Sequence, residues 1–580
     1  MLGNVQLGGI VLREQAMSRL LLLIGVLTTI SVNPWFAYDP INLPKMLVLC
    51  TGAAFLLGIL ILNLKAYKQD QILTLVASLI FIGSLVFSFF TNESPWYQQL
   101  WGTWGRSTGL LTYAAFIIML LSSTKLTSKE SLIRLRSTFE RLGYFMSLYT
   151  LLQFLDLDPV GWSQKLMVAT LGNINFMSSF LGLSAISYTA RVFLDSQSLS
   201  SKIHYLFFTC LNLFLIWESE SIQGLAVYFS GFILLLTFFI RRNNSAIKSF
   251  GFLLVCVVFG TLGFLGTAGL GPLSTLRQET VIFRIDYWQA AINMLLANMI
   301  NGIGIDSYGD FYREYRSVTA VTRTGPQRVT NTAHNIFLDI FTGAGVFSGL
   351  VFLFLVATVL YVIFLSLRDK TSDSNFYAIA SMAIGFIVFC LISINQIGVG
   401  IWGFIFMGVV IGYRNRMQSP QIKSAYSRTN FRSSKDLIVQ KEIGPDSLKR
   451  REAFFGGVLS LVVFFATLVP NIIDAQVFRA MKNSDVNRMM QLNESVGIQD
   501  FHRFNIAFRL SGIGRERESL EVATSSILAN KRNWQSWTLI ASNKYASKNV
   551  RLDAIQKLIQ LDPHNEQLKE FLESVESTKG

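Results

Sequence analysis

The chain has 580 residues, and its composition excludes a single soluble globular domain. Hydrophobic residues make up 51% of it, aromatic residues 13% and charged residues only 15%, which is more apolar surface than one water-soluble core can bury. The surplus requires lipid. The formal net charge of +14 then indicates either nucleic-acid binding or membrane topology, and the positions of Lys and Arg decide between the two.

About thirteen apolar runs occur along the first 470 residues. Most are long enough to cross a hydrocarbon core of roughly 30 Å, so they predict an all-α, polytopic membrane helix bundle. The first run is interpreted as a span and not as a cleaved signal peptide, because Asn33-Pro34-Trp35-Phe36 follows it without a small-residue cleavage pattern. The tenth is either one long helix or a broken pair. The runs lie near residues 20–37, 45–64, 72–90, 108–123, 140–155, 173–190, 204–217, 225–240, 250–268, 336–366, 375–393, 398–413 and 453–470.

Basic residues are concentrated in every second short loop between these runs, and these loops lie on the same side of the membrane. If residues 1–19 are cytoplasmic, every short loop that carries two or more Lys or Arg residues is cytoplasmic too, as the positive-inside rule requires. A basic linker at residues 414–452 lies on the same side. Topology and anionic lipid therefore account for most of the net charge, and no nucleic-acid partner is expected.

The cysteines and histidines do not indicate a metal or redox site. All four cysteines lie within apolar runs, and no two of the four histidines are close in sequence. The sequence therefore predicts no disulfide, no metal and no cofactor.

The same assignment of spans, with residues 1–19 in the cytoplasm, places a large loop, residues 269–335, outside the cytoplasm. Its basic residues are all arginine, and a guanidinium group matches phosphate oxygens with two hydrogen bonds where an ammonium group offers a point charge. Acidic residues nearly balance the loop, so several of the arginines are expected to form ion pairs instead. The arginines are Arg277, Arg284, Arg313, Arg316, Arg323 and Arg328, and the acidic residues are Glu279, Asp286, Asp306, Asp310 and Glu314.

Apolar residues at helical spacing predict a helix on the membrane surface over residues 283–295. The glycine-containing run that follows, residues 301–309, is similar to a dinucleotide-binding loop, but no strand precedes it. We interpret it as a turn that ends the helix and leads into residues 311–316.

The loop ends where polar residues give way abruptly to an apolar run, at residues 331–339. This places His334 at or just before a helix N-terminus, with Asn331, Thr332 and Asn335 as candidate caps. A helix N-terminus disfavours the imidazolium ion, so His334 is expected to stay neutral and able to accept a proton. Two interpretations stay open, a general base and a histidine that satisfies interfacial hydrogen bonds.

Four motifs lie at predicted outer ends of the runs. They are Trp104-Gly105-Arg106-Ser107-Thr108-Gly109, Thr170-Leu171-Gly172-Asn173-Ile174-Asn175-Phe176, an Arg-x-x-x-Trp helix at Arg284 followed by a Gly-x-Gly turn, and His334-Asn335-Ile336-Phe337-Leu338-Asp339. Over roughly residues 20–413 the chain thereby resembles the O-antigen ligase family. Its superfamily also contains polysaccharide polymerases and protein O-oligosaccharyltransferases.

The resemblance implies a metal-independent membrane glycosyltransferase with an undecaprenyl-pyrophosphate glycan as donor and a glycan, lipid or protein as acceptor. His334 corresponds to the base that deprotonates the acceptor hydroxyl, and Arg284 to a ligand of the donor pyrophosphate. Arg106, Arg313 and Arg316 are further candidate ligands of that pyrophosphate. The resemblance also implies the cytoplasmic (inner) membrane of a bacterial cell, with membrane lipid around the bundle and the active face outside.

One position departs from the family. Where the family commonly has Ser-Arg-Gly at the outer start of a span, this chain has Ser221-Ile222-Gln223-Gly224. Gln223 can donate a hydrogen bond to phosphate but brings no charge. Either Arg106 or another loop arginine compensates, or the donor differs, or activity is lost.

Beyond residue 413 the chain extends past the usual family architecture of about 12 helices. We predict an additional span at residues 453–470 and an extracytoplasmic helical domain at residues 471–580. The offset of about 31 residues between Ala523 and Ala554 resembles degenerate tetratricopeptide repeats. Such repeats present a concave surface to a protein partner, and a plain helical bundle without a partner is the alternative.

Two other functions stay open. A polymerase of the same superfamily uses the same donor, and the sequence does not separate it from a ligase. A transporter of an anionic lipid-linked solute would also suit many spans and an outer arginine cluster. Transporters usually carry charged groups near the bilayer midplane and internal repeats, whereas the charges here cluster at the loops, which favours the enzyme.

Overall fold

The computed structural model describes residues 2–65, 71–162, 166–369, 373–418 and 450–577, and within these ranges every regular element is a helix. Thirteen helices overlap the thirteen apolar runs, which confirms an all-α bundle. Most of the linker predicted at residues 414–452 lies outside the described residues. The helices are α1 (Leu2–Ile30), α2 (Asn42–Leu62), α3 (Ile72–Thr91), the short α4 (Trp96–Trp101), α5 (Leu110–Ser123), α6 (Lys129–Phe154), α7 (Ile174–Phe193), α8 (Leu199–Glu218), α9 (Ile222–Asn243), α10 (Ala246–Thr267), α14 (Ile336–Asp369), α15 (Ser374–Ile392), α16 (Ile397–Gln418) and α17 (Arg450–Lys482).

Nine of the helices in the described part of the chain are long and apolar enough to cross a membrane, namely α2, α3, α8, α9, α10, α14, α15, α16 and α17. Side-chain caps mark where several helices begin. Ser128, Ser198, Ser245 and Asp373 each accept a backbone N–H from the first turn of α6, α8, α10 and α15, which satisfies a donor that has no partner inside the helix.

Helix α6 begins at Lys129, well before the run predicted near residue 140. Its first half is charged, which hides it from a search for apolar runs. These charges are neutralised inside the bundle, because Glu140 accepts hydrogen bonds from Arg136 at 3.1 Å and from Arg191 at 2.9 Å. Asp195 pairs with both arginines as well. A buried ion is tolerated in such a place only when it is paired in this way.

The tenth run proves to be a broken pair of helices. Within α14, Gly345 has φ of 79°, a left-handed conformation that glycine adopts without strain. A Cβ at Gly345 would also collide with the carbonyl oxygen of Ile300. The loop between residues 269 and 335 is called the arginine loop below. The break at Gly345 lets this loop pack against the backbone of α14.

Helix α17 joins the predicted additional span to the C-terminal domain. It continues through Pro470 to Lys482, so one unbroken helix runs through the boundary predicted at residue 471. The last turns of α17 contribute Ile473, Val477 and Ala480 to the core of the C-terminal domain. The other helices of this domain are α18 (Val486–Asn493), α19 (Asp500–Gly512), α20 (Glu516–Ala529), α21 (Trp534–Ser542), α22 (Lys548–Leu561) and α23 (Gln567–Ser577).

The C-terminal domain sits on the same end of the bundle as the arginine loop. Asp474, which is fully buried, accepts hydrogen bonds from the backbone N–H groups of Tyr38 at 2.6 Å and Asp39 at 3.0 Å, and from the indole of Trp104 at 3.2 Å. His502 of α19 contacts the same carboxylate at 2.8 Å. These bonds fix the domain against two loops of the membrane bundle.

Candidate active site

The arginine loop folds into three helices around a small core of its own. They are α11 (Glu279–Ala297), α12 (Tyr308–Tyr315) and α13 (Val318–Thr324), preceded by a 3-10 turn at Gly271–Leu276. The helix predicted over residues 283–295 and the glycine turn after it are both confirmed. Gly304 has φ of 103° and donates its backbone N–H to Gly343 of α14 at 3.1 Å, so the turn is fastened beside the break in that helix.

His334 is presented from a strained turn just before α14. Its φ of 52° lies in the left-handed region, which is uncommon for a residue other than glycine. Two bonds to Asp339 hold the turn, from the hydroxyl of Thr332 at 2.5 Å and from the N–H of Ala333 at 2.9 Å. The N–H of His334 donates to the Thr332 hydroxyl at 3.2 Å. Strain that is held by a hydrogen-bonded frame is common at functional sites.

The imidazole of His334 is kept neutral by its surroundings. Burial, together with the positive charges of Arg284 and Arg106, lowers its pKa to about 4. The ring stacks on Tyr287 with centroids 5.6 Å apart. Among the described residues neither ring nitrogen has a hydrogen-bond partner, so one nitrogen is free to accept a proton.

The helix N-terminus is therefore not the main reason for the neutral histidine. Of the three candidate caps, Asn335 is the one that accepts a hydrogen bond from the first turn of α14, from the N–H of Leu338 at 3.1 Å. Thr332 braces the turn instead, and the backbone carbonyl of Asn331 accepts from Arg106 at 2.5 Å.

Arg284 lies on α11, close enough to His334 for its charge to lower the histidine pKa. It is half-buried, and burial lowers its own pKa. Among the described residues it has no carboxylate partner. A guanidinium that is partly desolvated and lacks a counter-ion is poised for a phosphate or carboxylate of a ligand.

The expectation that several loop arginines form ion pairs is confirmed. Arg277 pairs with Glu279 at 3.2 Å, and Arg323 pairs with Asp286 at 2.6 Å. Arg328 packs over the ring of Phe283 at 4.4 Å.

Three of the candidate pyrophosphate ligands already have carboxylate partners. Arg106 is 6% exposed and lies 2.6 Å from Asp306, whose carboxylate also accepts the N–H of Thr103. Arg313 and Arg316 both bind Asp562 of the C-terminal domain, at 3.1 Å and 2.7 Å. Arg106 thus helps to hold the turn that carries His334. Arg313 and Arg316 instead bind the C-terminal domain to the arginine loop.

Gln223 is 4% exposed and packs between helices of the bundle. Its amide donates to the hydroxyls of Ser179 at 2.9 Å and Ser393 at 3.0 Å and to the carbonyl of Asn175 at 3.3 Å. These acceptors occupy its donor capacity. Gln223 thus joins α7, α9 and the end of α15, at the position where the family commonly has arginine.

A cavity of about 700 Å³ separates the arginine loop from the C-terminal domain. His334 forms part of its wall together with residues of both sides, among them Asp310, Asp500 and Trp534, whereas Arg284 is not among its lining residues. The histidine therefore has the cavity on one side and the unpaired arginine nearby.

Sequence reasoning missed the cavity residues of the C-terminal domain. Asp500 and Trp534 lie more than 160 residues after His334 in the chain, in helices with no motif that points to chemistry. Two Trp and two His residues in a short helical domain were the only signal, and such residues are more often part of a core.

Comparison with known families agrees with this geometry. Residues 206–354 match the family model described as O-antigen ligase, a stretch that contains the whole arginine loop, Arg284 and His334. No curated protein matches the chain. Together with the helical membrane bundle, the match indicates a multi-pass membrane enzyme of the ligase and polymerase type, glycosyltransferase-like and acting on lipid-linked glycans. Residues 206–354 form its O-antigen ligase domain.

Proposed function

We propose that this protein transfers a glycan from an undecaprenyl-pyrophosphate donor to an acceptor hydroxyl on the outer face of a bacterial cytoplasmic membrane. The observation that carries the proposal is the placement of Arg284, which has no carboxylate partner among the described residues, beside the neutral His334. The distribution of basic residues among the loops supports the orientation.

In the proposed reaction His334 accepts the proton of the acceptor hydroxyl. The freed oxygen attacks the anomeric carbon of the donor, and the bond from that carbon to the pyrophosphate oxygen breaks. The leaving lipid pyrophosphate takes the bonding electrons, and its added negative charge develops near Arg284. A positive group that is already in place stabilises this charge without reorganising, so the reaction needs no metal. Release of the proton from His334 to solvent completes the cycle.

Two substitutions in the purified full-length protein test the proposal with a lipid-linked glycan donor. His334→Ala is expected to lower kcat by about 10²–10⁴-fold, the usual range for loss of a general base. Arg284→Ala is expected to lower it by about 10²–10³-fold, as for one lost oxyanion-stabilising group. Arg284→Lys should recover only part of this, because an ammonium cannot bind two phosphate oxygens in parallel.

Arg277→Ala is the matched control, since Arg277 lies in the same loop but is 56% exposed and paired with Glu279. It should leave transfer unchanged. Wild-type turnover by the His334→Ala protein would overturn the proposed base. In cells, loss of long chains would indicate a polymerase, whereas free polymer without attachment would indicate a ligase.

A further inference from the structure

We propose that the cavity between the arginine loop and the C-terminal domain is an acceptor site that binds a carbohydrate. This inference rests on the proposed glycosyltransferase function. Both halves of the protein build the site, because Gln98, Asp310 and His334 from the membrane domain face Asp500 and Asn530 from the C-terminal domain.

The position of His334 in the wall supports an acceptor site in this cavity. A general base must lie within hydrogen-bond reach of the hydroxyl that it deprotonates, so the acceptor has to occupy space that His334 adjoins. The cavity is such a space, and Arg284 is not among its lining residues. A donor pyrophosphate at Arg284 and an acceptor in the cavity would thus meet at His334 without competing for the same groups.

Two carboxyl groups of the cavity, those of Asp310 and Asp500, offer hydrogen-bond acceptors. Asp310 accepts from Gln98 at 3.1 Å and from Asn530 at 3.2 Å, which joins the two halves. Asp500 is 7% exposed. One of its carboxyl oxygens accepts a hydrogen bond from the hydroxyl of Tyr97. The other oxygen is buried and has no hydrogen-bond partner among the described residues. A buried oxygen in this state favours a ligand that supplies a donor.

The charges of the cavity disfavour an anionic acceptor. Its two arginines are already neutralised, since Arg313 binds Asp562 at 3.1 Å and Arg532 binds Glu314 at 2.6 Å. Burial raises the pKa of Asp500 to about 7, so near neutral pH this carboxyl group can either donate or accept. Hydroxyl groups, which do both, are its natural complement.

Aromatic rings stand among these polar groups. Trp104 and Phe501 stack with centroids 3.6 Å apart, and Phe504 and Trp534 also line the cavity. A sugar ring has polar edges of hydroxyl groups and an apolar face of C–H groups, so it needs both kinds of surface. A volume of about 700 Å³ lies within the range of roughly 300–1,000 Å³ for small-molecule sites. It holds a few sugar rings and excludes a folded protein domain.

Saturation-transfer NMR on the full-length protein in lipid nanodiscs tests this inference. The probe is a mixture of neutral oligosaccharides of about four to six sugars, released by mild acid from the envelope of the cells that produce the protein. We expect transfer of saturation to the saccharide C–H protons, with a dissociation constant that Asp500→Asn weakens about tenfold or more. Asp553→Asn, at an exposed position of the same domain, is the matched control and should bind as the wild type does.

Gln535→Trp provides a second variant, because Gln535 is exposed at the edge of the cavity and a larger side chain there fills space without removing a hydrogen bond of the fold. It should also weaken saccharide binding. Absence of saturation transfer, or binding that both variants leave unchanged, would overturn the inference. So would binding of a random peptide mixture in place of the saccharides.

Binding without turnover separates this inference from the proposed function. Arg284→Ala should lower the transfer rate by about 10²–10³-fold yet bind the saccharides as the wild type does. If the saccharides bind but neither Arg284→Ala nor His334→Ala affects transfer, the proposed function fails and the carbohydrate site stands. If those substitutions abolish transfer but no saccharide binds, the carbohydrate site fails and the proposed function stands.

Discussion

Replacing Arg316 with alanine is expected to loosen the C-terminal domain from the arginine loop and not to weaken donor binding directly. The guanidinium of Arg316 is 1% exposed and donates to both oxygens of Asp562, which is fully buried, at 2.7 Å. It also donates to the carbonyl oxygens of Pro326 and Arg328. Both terminal nitrogens of the guanidinium are thus occupied, and the side chain is buried away from any ligand.

The partners that each substitution leaves in place set the expected loss of free energy at the interface between the arginine loop and the C-terminal domain. Removing one member of a buried ion pair costs about 3–5 kcal/mol. In Arg316→Ala, Asp562 keeps Arg313 at 3.1 Å and the amide of Asn565 at 3.3 Å, so we expect the lower end, about 3 kcal/mol. Asp562→Ala leaves two buried arginines without their carboxylate, so we expect about 5 kcal/mol.

Hydrogen exchange measures this loss of interface stability as a lower free energy for separating the C-terminal domain from the arginine loop. A loss of about 3–5 kcal/mol speeds exchange roughly 10² to several thousand-fold for amides that exchange through separation of the domain. We expect this acceleration in α12 and α22, while amides of α15 inside the bundle stay unchanged. A change of less than about threefold in Arg316→Ala, together with a raised KM for the donor, would refute the reasoning and return Arg316 to the donor site.

Three further predictions concern the reaction and its frame. Because His334 has its pKa lowered to about 4, the base is neutral above that value, so kcat/KM should be flat at neutral pH and fall only below about pH 4. The acid limb of kcat should lie at higher pH, since a bound pyrophosphate favours the imidazolium. Gln223→Leu should lower the free energy of unfolding by about 1–3 kcal/mol through loss of its buried bonds, seen as a lower Tm, with an unchanged KM for the donor. Chelation with EDTA should leave the transfer rate unchanged.

Each of these has an outcome that would contradict it. An acid limb of kcat/KM near the ordinary histidine pKa of about 6.5 would mean that His334 is not desolvated in the free enzyme. A raised donor KM in Gln223→Leu, at unchanged Tm, would place Gln223 among the ligands of the donor. Loss of activity in EDTA that Mg²⁺ or Mn²⁺ restores would require a metal in the proposed mechanism.

The helices of the bundle could be predicted from the sequence because each span has to bury its own backbone polar groups. Lipid offers no hydrogen bonds, so a run of apolar residues long enough to cross it must be helical whatever its neighbours are. The charged start of α6 escaped this rule, since only the contacts of Glu140 with Arg136 and Arg191 show how its charges are neutralised. The break at Gly345 likewise depends on a close approach by Ile300.

The residue types of the site were also visible in the sequence, but their partners were not. His334 and Arg284 stood out by motif, and six loop arginines looked alike. An ion pair can form between side chains that are far apart in the chain, as Arg316 and Asp562 are with a separation of 246 residues, so spacing in the sequence carries no information about it. Only the tertiary structure distinguishes Arg284, which has no carboxylate partner among the described residues, from Arg313 and Arg316, which hold the C-terminal domain in place.

The sequence alone shows that this protein crosses a membrane many times, carries an arginine-rich loop and has a histidine at the start of a span. These follow from local composition and periodicity, which act over one helix at a time. The tertiary structure decided which charges are neutralised and that the C-terminal domain closes a cavity over His334. Burial and charge pairing set both outcomes, and they depend on distances between segments that only the folded chain brings together.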